Sequence, residues 1–144
     1  MMRIRPFGEA DERAVIELWA LCGLVVPHND AKKDIARKLR VDPELFLVGE
    51  VEGNLVGTCM AGYEGHRGWL NYLAVNPAYQ RRGYATELLR AAEKLLEEKG
   101  CPKINLQVRT SNTAVIQFYA RQGFAVDEVV SMGKRLVVDD PTES

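Results

Sequence analysis

The 144-residue sequence predicts one α/β domain, with a mixed, mostly antiparallel sheet and helices on both faces. The apolar patterns give the order β-α-α-β-β-β-α-β-α-β-β. A long amphipathic helix separates the fourth and fifth strands, and such a crossover leaves two strands parallel. No internal repeat or interdomain linker interrupts the chain. We therefore expect a single domain over residues 1–138 and a frayed tail at residues 139–144.

The first part of the chain predicts a strand followed by two helices. The strand lies around Arg3–Pro6, and Glu9 and Asp11 place acid at the start of the first helix. The apolar residues of that helix recur at helical spacing: Ala14, Val15, Leu18, Leu21 and Cys22. The run Pro27-His28-Asn29-Asp30 ends this pattern and supplies a cap for a short second helix, which ends near Asp42-Pro43.

The middle of the chain predicts three strands and the clearest helix. Residues 45–51 and 55–63 are apolar runs on either side of a Glu-Gly-Asn turn, which is typical of a hairpin. Residues 69–75 form a fourth strand, which Pro77 ends because proline cannot donate to a ladder. The third helix then has a regular apolar face, formed by Ala85, Leu88, Leu89, Ala92, Leu95 and Leu96.

The last part of the chain predicts a fifth strand, a fourth helix and two further strands. Residues 104–108 form the fifth strand, the run Thr110-Ser111-Asn112 caps a helix through Gln122, and Gly123 ends it. Residues 124–126 and 132–138 are predicted to finish the sheet. Residues 129–138 are expected to form an edge hairpin that folds onto its own sheet or pairs with a second chain, and we favour a homodimer.

The composition excludes several classes of protein. A net charge of -1 gives no reason to expect binding to nucleic acid or to an anionic membrane surface. The three cysteines are widely separated and lack the spacing of a zinc site or a disulfide framework. No stretch approaches the roughly 18 apolar residues of a membrane span, and no signal core follows the first residues. We expect a cytoplasmic protein with no metal, no membrane and no nucleic acid.

One segment stands where a strand gives way to a helix and contains chemistry suited to an anion. It comprises Gln80, Arg81, Arg82, Gly83, Tyr84, Ala85 and Thr86. The first turn of a helix has unpaired N–H groups, and small residues there leave room for a phosphate. The alternative is a plain turn with solvated arginines, and this segment alone favours neither. Neither a P-loop nor a dinucleotide-binding glycine pattern is present.

This segment also carries a family resemblance. The pattern Gln80-x-x-Gly83-x-Ala85, directly after residues 73–75 and before an amphipathic helix, resembles the coenzyme A signature of GNAT-type N-acetyltransferases. Downstream, the pattern Asn112-x-Ala114-x-x-x-Phe118-Tyr119-x-x-x-Gly123-Phe124 resembles the second signature of that superfamily. Residues 27–30 and 62–68 further resemble its bacterial YpeA-like branch.

The resemblance implies an acetyl-CoA-dependent enzyme that acetylates a primary amine by direct attack in a ternary complex. Strands four and five would be parallel and splayed, and the pantetheine arm of acetyl-CoA would pair with strand four between them. An N–H near Val75 would stabilise the oxyanion. The implied cofactor-binding residues are Leu73, Ala74, Val75, Gln80, Arg81, Arg82, Gly83, Tyr84, Ala85, Thr86, Asn112 and Tyr119.

The same resemblance implies catalytic roles. Tyr119 would protonate the departing thiolate, unless it and Phe118 are only core aromatics. Strand four has Asn71 where some relatives have a carboxylate, so the candidate bases are Glu64, His66 and Glu50, acting directly or through water.

The acceptor, an amine of a small molecule, peptide or protein, is expected to enter between helices one and two and the loop that contains His66. An acyl-cysteine route through Cys101 is a less favoured alternative, because no histidine lies near it in sequence. A non-catalytic acyl-CoA sensor and a generic interaction domain are the competing functions.

Overall fold

The computed structural model describes residues 1–26 and 30–139, which form five strands and four α-helices. The strands are β1 (Arg3–Pro6), β2 (Phe46–Val51), β3 (Asn54–Tyr63), β4 (Gly68–Val75) and β5 (Ile104–Asn105). The helices are α1 (Glu12–Leu21), α2 (Ala31–Lys38), α3 (Tyr84–Glu98) and α4 (Thr113–Arg121). Short 3-10 turns precede α1 and β2, and a third lies between β4 and α3.

The five strands form one sheet in the order β1-β2-β3-β4-β5. The first four strands are antiparallel to their neighbours, and β5 is parallel to β4, because α3 carries the chain back across the sheet. The predicted mixed sheet is therefore confirmed. The pairing of β4 with β5 covers only Gly68 with Ile104 and Trp69 with Asn105. Beyond these pairs the two strands separate, as the resemblance implied.

Helices cover both faces of the sheet, because successive side chains of a strand point to opposite faces. One core layer lies under α1 and α2 and contains Val15, Leu18, Trp19, Ile35, Phe46, Val48 and Met60. The other lies under α3 and contains Leu47, Val56, Cys59, Leu70, Leu88, Leu89, Ala92 and Leu96. Neighbouring residues of β2, such as Phe46 and Leu47, therefore belong to different layers.

A bulge interrupts β4 opposite Cys59. Thr58 pairs with Ala74 and Met60 pairs with Asn71, so Cys59 alone faces Tyr72 and Leu73. Tyr72 has a left-handed backbone with φ of 51°. That conformation costs a tyrosine roughly 1–2 kcal/mol. Neighbouring contacts must therefore hold it in place.

A buried polar relay anchors this bulge. The indole Nε1 of Trp19 donates to Thr58 Oγ1 at 2.9 Å, and the Thr58 hydroxyl donates to the Tyr72 carbonyl at 2.8 Å. The Trp19 and Tyr72 rings stack with centroids 3.7 Å apart. Thr58 has no exposed surface, so both of its hydrogen bonds are shielded from water. Helix α1, β3 and the β4 bulge are thereby joined.

The structure corrects the prediction for the last part of the sheet. The fifth strand ends at Asn105 instead of residue 108, and the described residues 124–126 and 132–138 form no strand. Val126 is 86% exposed and Leu136 is 88% exposed. An apolar, β-branched sequence forms a strand only where a partner strand completes its ladder, and the short β5 offers no such edge. The hairpin that favoured a homodimer is accordingly absent from this part of the chain, and the dimer stays a prediction.

Two predictions, one for residues 27–30 and one for the C-terminal tail, fall partly outside the described residues. Pro27, His28 and Asn29 lie outside them, whereas Asp30 caps α2, because the Lys33 N–H donates to Asp30 Oδ1 at 3.1 Å. Asp139 belongs to the predicted tail, yet its side chain is buried against α2. Residues 140–144 are not described, so fraying there stays a prediction.

The relay through Thr58 predicts a measurable loss of stability. Thr58→Val keeps the side-chain shape but leaves the Trp19 N–H and the Tyr72 carbonyl unpaired in the core. We expect the free energy of unfolding to fall by about 1–3 kcal/mol in equilibrium urea unfolding. Thr58→Ser is the control, because it retains the hydroxyl and loses only a methyl group. A valine variant as stable as the serine variant would contradict the role of the relay.

Candidate active site

The segment predicted to form an anion cradle lies at the start of α3. Gly83 is the N-cap of the helix, in a left-handed conformation with φ of 80°, and no side chain caps the helix. The first bond of the helix runs from Glu87 N to the Gly83 carbonyl, so the amides of Tyr84, Ala85 and Thr86 lack an intrahelical acceptor. A Cβ built on Gly83 meets nothing within 4 Å, which leaves open space above these amides.

Two arginines flank the cradle without a carboxylate partner among the described residues. Arg81 has φ of 65° and Gly83 has φ of 80°, so the loop has two left-handed residues directly ahead of α3. The Arg82 guanidinium lies 5.3 Å from the centre of the Tyr79 ring, which holds it beside the loop. The loop therefore offers positive charge, open amides and space in one place, which are the requirements for binding a phosphate.

Gln80 connects the cradle to the end of β4. Its amide Nε2 donates to the Val75 carbonyl at 3.1 Å, and the Cys22 thiol donates to the same oxygen at 3.4 Å. The loop is thus closed onto the strand that precedes it. Gln80 therefore fixes the conformation of the loop, because its side chain bonds the backbone of the preceding strand.

The backbone of β4 has a free edge, meaning one without a partner strand, next to this loop, and the Val75 carbonyl on that edge is already bonded by Gln80 and Cys22. Asn76 N donates to the Val56 carbonyl, so Asn76 and Val56 form a hydrogen-bonded pair of the antiparallel ladder. Val75 and Gly57 are the next pair, in which the peptide groups point away from each other. The N–H of Val75 therefore faces the side from which β5 has separated. Residues 73–75 lie beyond the paired end of β4 and β5, and their contact with a cofactor stays a prediction.

Tyr119 of α4 is a half-buried aromatic residue that packs on the core under α3. Its ring makes edge contacts with Phe118 and Phe124, at centroid distances of 5.2 and 5.4 Å. Burial, with a smaller contribution from the nearby Cys59 thiol, raises the pKa of Tyr119 well above its ordinary value. Its hydroxyl has no hydrogen-bond partner within the described ranges. Tyr119 thus offers a phenol without an internal partner in the same core cluster as Cys59, which lies opposite the β4 bulge.

The second signature also has a structural basis. Asn112 is the N-cap of α4, because the Val115 N–H donates to its Oδ1 at 3.3 Å. At the other end of the helix, Gln122 Nε2 donates to Thr86 Oγ1 at 3.3 Å, and Arg90 donates to Gln122 Oε1 at 3.2 Å. These bonds fix α4, and Tyr119 with it, against the first turns of α3.

A second concave region lies on the opposite side of the β4 bulge, between α1, α2 and β4. It is a cavity of about 620 Å³, within the usual size range of small-molecule sites. It is lined by Gly23, Leu24, Val26, Asp34, Arg37, Lys38, Met60, Asn71, Tyr72 and Arg109. The cavity lies between helices one and two, but the loop that contains His66 does not line it, and entry of the acceptor here stays a prediction. The charged residues of α2 were not predicted to line this site. Asp34, Arg37 and Lys38 nevertheless have the i, i+3, i+4 spacing that places residues on one face of a helix.

Hydrogen bonds hold the polar wall of this cavity in place. The Tyr72 hydroxyl donates to Asp34 Oδ2 at 2.7 Å, and burial together with this bond raises the pKa of Tyr72. Arg37 makes a two-pronged contact with Asp139, with N–O distances of 2.9 and 2.8 Å. The Asp139 carboxylate is buried, and the Arg37 hydrogen bonds lower its pKa to about 2. The end of the described chain is thus attached to the pocket wall.

The structure does not bring the three candidate bases to the cradle. Glu64 accepts hydrogen bonds from the N–H groups of His66 and Arg67, and these bonds lower its pKa. Glu64 and His66 are both exposed and precede the start of β4. The length of that strand separates its start from Val75 by about 20 Å. Glu50 lies two strands away from β4.

Glu50 is also engaged elsewhere. It forms ion pairs with Arg3 and Arg5 at 3.5 and 3.4 Å, at the β1 edge of the sheet. Asp34 is the one carboxylate among the described residues that line the cavity. A base role for Glu64, His66 or Glu50 stays a prediction that this geometry does not favour.

The cysteines are poorly placed to act as nucleophiles. Burial raises the pKa of Cys59 to about 12, and burial likewise raises the pKa of Cys22. Cys101 lies near Gly68, at the end of β4 where β5 is still paired, and its thiol donates to the Lys103 carbonyl at 3.3 Å. Within residues 1–26 and 30–139, no group of three or more potential metal ligands is present, and no helix is long and apolar enough to cross a membrane.

Comparison with known proteins decides the family. The model of the acetyltransferase (GNAT) family matches residues 12–124, which include both the cradle and Tyr119. This chain belongs to the GNAT family. The predicted superfamily is therefore confirmed, and the chain is an acyltransferase. The narrower YpeA-like branch stays a prediction.

Relatives of similar length match this chain along almost its whole length and support the assignment to the GNAT family. An acetyltransferase of Sodalis glossinidius is 50% identical over 96% of this chain and 98% of its own. An acetyltransferase of Yersinia pestis is 49% identical over the same shares. The fold also resembles that of the PaiA N-acetyltransferase of Thermoplasma acidophilum in complex with coenzyme A. That similarity has a TM-score of 0.70 at 22% identity and covers 90% of this chain and 93% of the other.

The pairing of Arg37 with Asp139 predicts a pH-dependent contribution to stability. A carboxylate whose pKa is lowered in the folded state stabilises the fold above its unfolded pKa of about 3.9. That contribution is lost as the pH falls through about 2. We therefore expect Asp139→Asn to be less stable than the wild type from pH 5 to pH 7, with the difference shrinking from about pH 4 downwards.

Urea unfolding at pH 7, 4 and 3 measures this difference. Asp127→Asn is the matched control, because Asp127 forms a half-exposed surface pair with Lys103 at 2.9 Å, and such pairs contribute little. A stability difference between wild type and Asp139→Asn that is constant from pH 7 to pH 3 would exclude the ion pair as its source.

Proposed function

We propose that this GNAT acetyltransferase transfers an acetyl group from acetyl-coenzyme A to a primary amine by direct attack in a ternary complex. The observation that carries the proposal is the position of two sites on opposite sides of one β4 bulge. The phosphate cradle and the open strand edge lie on one side, and the polar cavity lies on the other. Two substrates could thus meet at the bulge.

Acetyl-coenzyme A fits the first side by its chemistry. Its pyrophosphate would accept hydrogen bonds from the open amides of residues 84–86, with Arg81 and Arg82 adding positive charge. Its pantetheine arm contains amide groups that can pair with the free edge of residues 73–75 as an added strand would. Asn112 would contribute through the α4 N-terminus that it caps.

The reaction needs three kinds of assistance from the protein. The amine nitrogen attacks the thioester carbonyl carbon, and the Val75 N–H is the candidate donor to the oxyanion that develops on its oxygen. The C–S bond then breaks, and the Tyr119 hydroxyl would give its proton to the departing thiolate. The amine loses a proton, which Asp34 would accept through water, because it is the carboxylate of the cavity. The products are an N-acetylated amine and free coenzyme A.

Direct attack is favoured over an acyl-cysteine route by the state of the thiols. A nucleophilic cysteine needs thiolate character, and burial keeps Cys22 and Cys59 protonated. Cys101 lies at the paired end of β4 and β5, away from the gap that would hold the thioester. No covalent intermediate is required in this proposal.

Binding of acetyl-coenzyme A is the first test of the proposal. A ligand that binds only the folded state, present at 100 times its dissociation constant, stabilises a protein by roughly 2.7 kcal/mol. We therefore expect a clear rise in melting temperature with acetyl-coenzyme A and a smaller rise for Arg81→Gln, which loses one cradle cation. The exposed Arg13 on α1 provides the control variant Arg13→Gln, which should respond as the wild type does. An unchanged melting temperature would remove the basis of the proposal.

Turnover is the second test, and it separates an enzyme from an acyl-CoA sensor. Tyr119→Phe retains the ring contacts with Phe118 and Phe124 but lacks the proton. We expect kcat in a thiol-release assay to fall about 100-fold, within the usual range for general acid catalysis, with little change in acetyl-CoA binding. Phe118→Leu alters the same helix without removing a proton donor and serves as control. Equal kcat for Tyr119→Phe and wild type would exclude Tyr119 as the acid.

A further inference from the structure

The cavity between α1, α2 and β4 has an excess of positive charge. Among the described residues, its lining contains three basic side chains, Arg37, Lys38 and Arg109, and one acidic side chain, Asp34. Two of these four charges are already satisfied inside the protein. Arg37 is paired with Asp139, and Asp34 accepts from Tyr72 and lies 3.4 Å from Arg37. The charges that remain available to a ligand are those of Lys38 and Arg109.

Lys38 is held at the cavity wall by the backbone. Its Nζ donates to the Ala61 carbonyl, which uses one of the three N–H groups of the ammonium. The Cβ position of Gly62 lies 3.4 Å from this nitrogen, so Gly62 packs directly beside the ammonium. Half-burial lowers the pKa of Lys38, since the charged form loses hydration. An anionic ligand would replace that hydration. No carboxylate of the described chain forms an ion pair with Lys38.

Arg109 approaches the cavity from the turn between β5 and α4. Its carbonyl accepts from Asn112 N at 2.9 Å, which fixes the backbone of this turn. Its guanidinium has no ion-pair partner and no hydrogen-bond partner in the described part of the chain. The planar fork of arginine donors matches the two oxygens of a carboxylate. Apolar side chains of Leu24, Val26 and Met60 complete the lining.

We propose that the acceptor is a small amine that also carries a carboxylate, such as an α-amino acid, with the carboxylate bound between Lys38 and Arg109. This inference rests on the proposed function, because it names the acceptor of that reaction. Asp34 and the β4 bulge then lie where the amine must lose its proton and attack. A second cationic group on the acceptor would meet Lys38 and Arg109 and be repelled, which disfavours polyamines and aminoglycosides.

Matched acceptors test the inference directly. The probes are free α-amino acids with apolar, polar and acidic side chains and the carboxamide of each one, together with spermidine and neamine as cationic amines. Thiol release from acetyl-coenzyme A is followed at one ionic strength. We expect at least one amino acid to have a kcat/KM about tenfold or more above that of its carboxamide. We expect no comparable rate with the cationic amines.

Two variants connect that preference to the cavity. Arg109→Gln and Lys38→Met should each lower kcat/KM for the amino acid by about 10-fold to 100-fold, as expected for loss of a charged hydrogen bond. Both should leave the rate with the carboxamide within about twofold. Arg13→Gln, which alters an exposed arginine on α1 outside the cavity, should leave both rates unchanged. An unaltered rise in melting temperature with acetyl-coenzyme A shows that each variant is folded.

The outcomes separate failure of the inference from failure of the proposed function. Equal or better acetylation of carboxamides, of peptides with a blocked C-terminus or of cationic amines would overturn the inference and leave the acetyltransferase proposal intact. Equal losses on amino acid and carboxamide in Arg109→Gln would also overturn it, because the arginine would then act independently of the carboxylate. Failure of acetyl-coenzyme A to bind or react with any amine would overturn both.

Discussion

The left-handed conformation of Tyr72 is the constraint on which the two halves of the site depend. A tyrosine does not adopt φ of 51° without support, and support comes from three directions. Thr58 bonds its carbonyl, Trp19 stacks on its ring, and Asp34 accepts from its hydroxyl. The bulge places one extra β4 residue opposite Cys59, and the Tyr72 side chain lines the cavity. These contacts hold the strained Tyr72 in place, and Tyr72 in turn shapes the wall of the proposed acceptor cavity.

The donor side depends on the same bulge and on the short pairing of β4 with β5. Two residue pairs hold these parallel strands together, after which the free edge of β4 faces a gap that leads to the start of α3. Gln80 closes the loop onto Val75, and Gln122 holds α4 against Thr86. Tyr119, the free strand edge and the cradle are therefore fixed by separate contacts. A gap between strands is costly in an ordinary sheet, because its backbone groups are unpaired, and a ligand with amide groups of its own removes that cost.

The sequence predicted the elements whose signals are local. The apolar face of α3, the turn between β2 and β3, the cap at Asn112 and the glycine at residue 83 all follow from short-range patterns. The last two strands were predicted incorrectly, because residues 124–126 and 132–138 have strand-like composition but no partner edge. The polar wall of the cavity was missed for a related reason. Asp34 and Tyr72, like Arg37 and Asp139, are far apart in sequence, and only the packing of α2 beside β4 brings them together.

The central claim is that one bulge separates a donor cleft from an acceptor cavity. A crystal structure of the full chain with coenzyme A bound tests it most directly. The account predicts the pyrophosphate on the amides of residues 84–86 and the pantetheine arm against residues 73–75, with its sulfur near Tyr119 and opposite the cavity that Asp34 lines. A pantetheine arm that enters the cavity between α1 and α2, or that leaves the gap between β4 and β5 empty, would contradict the account.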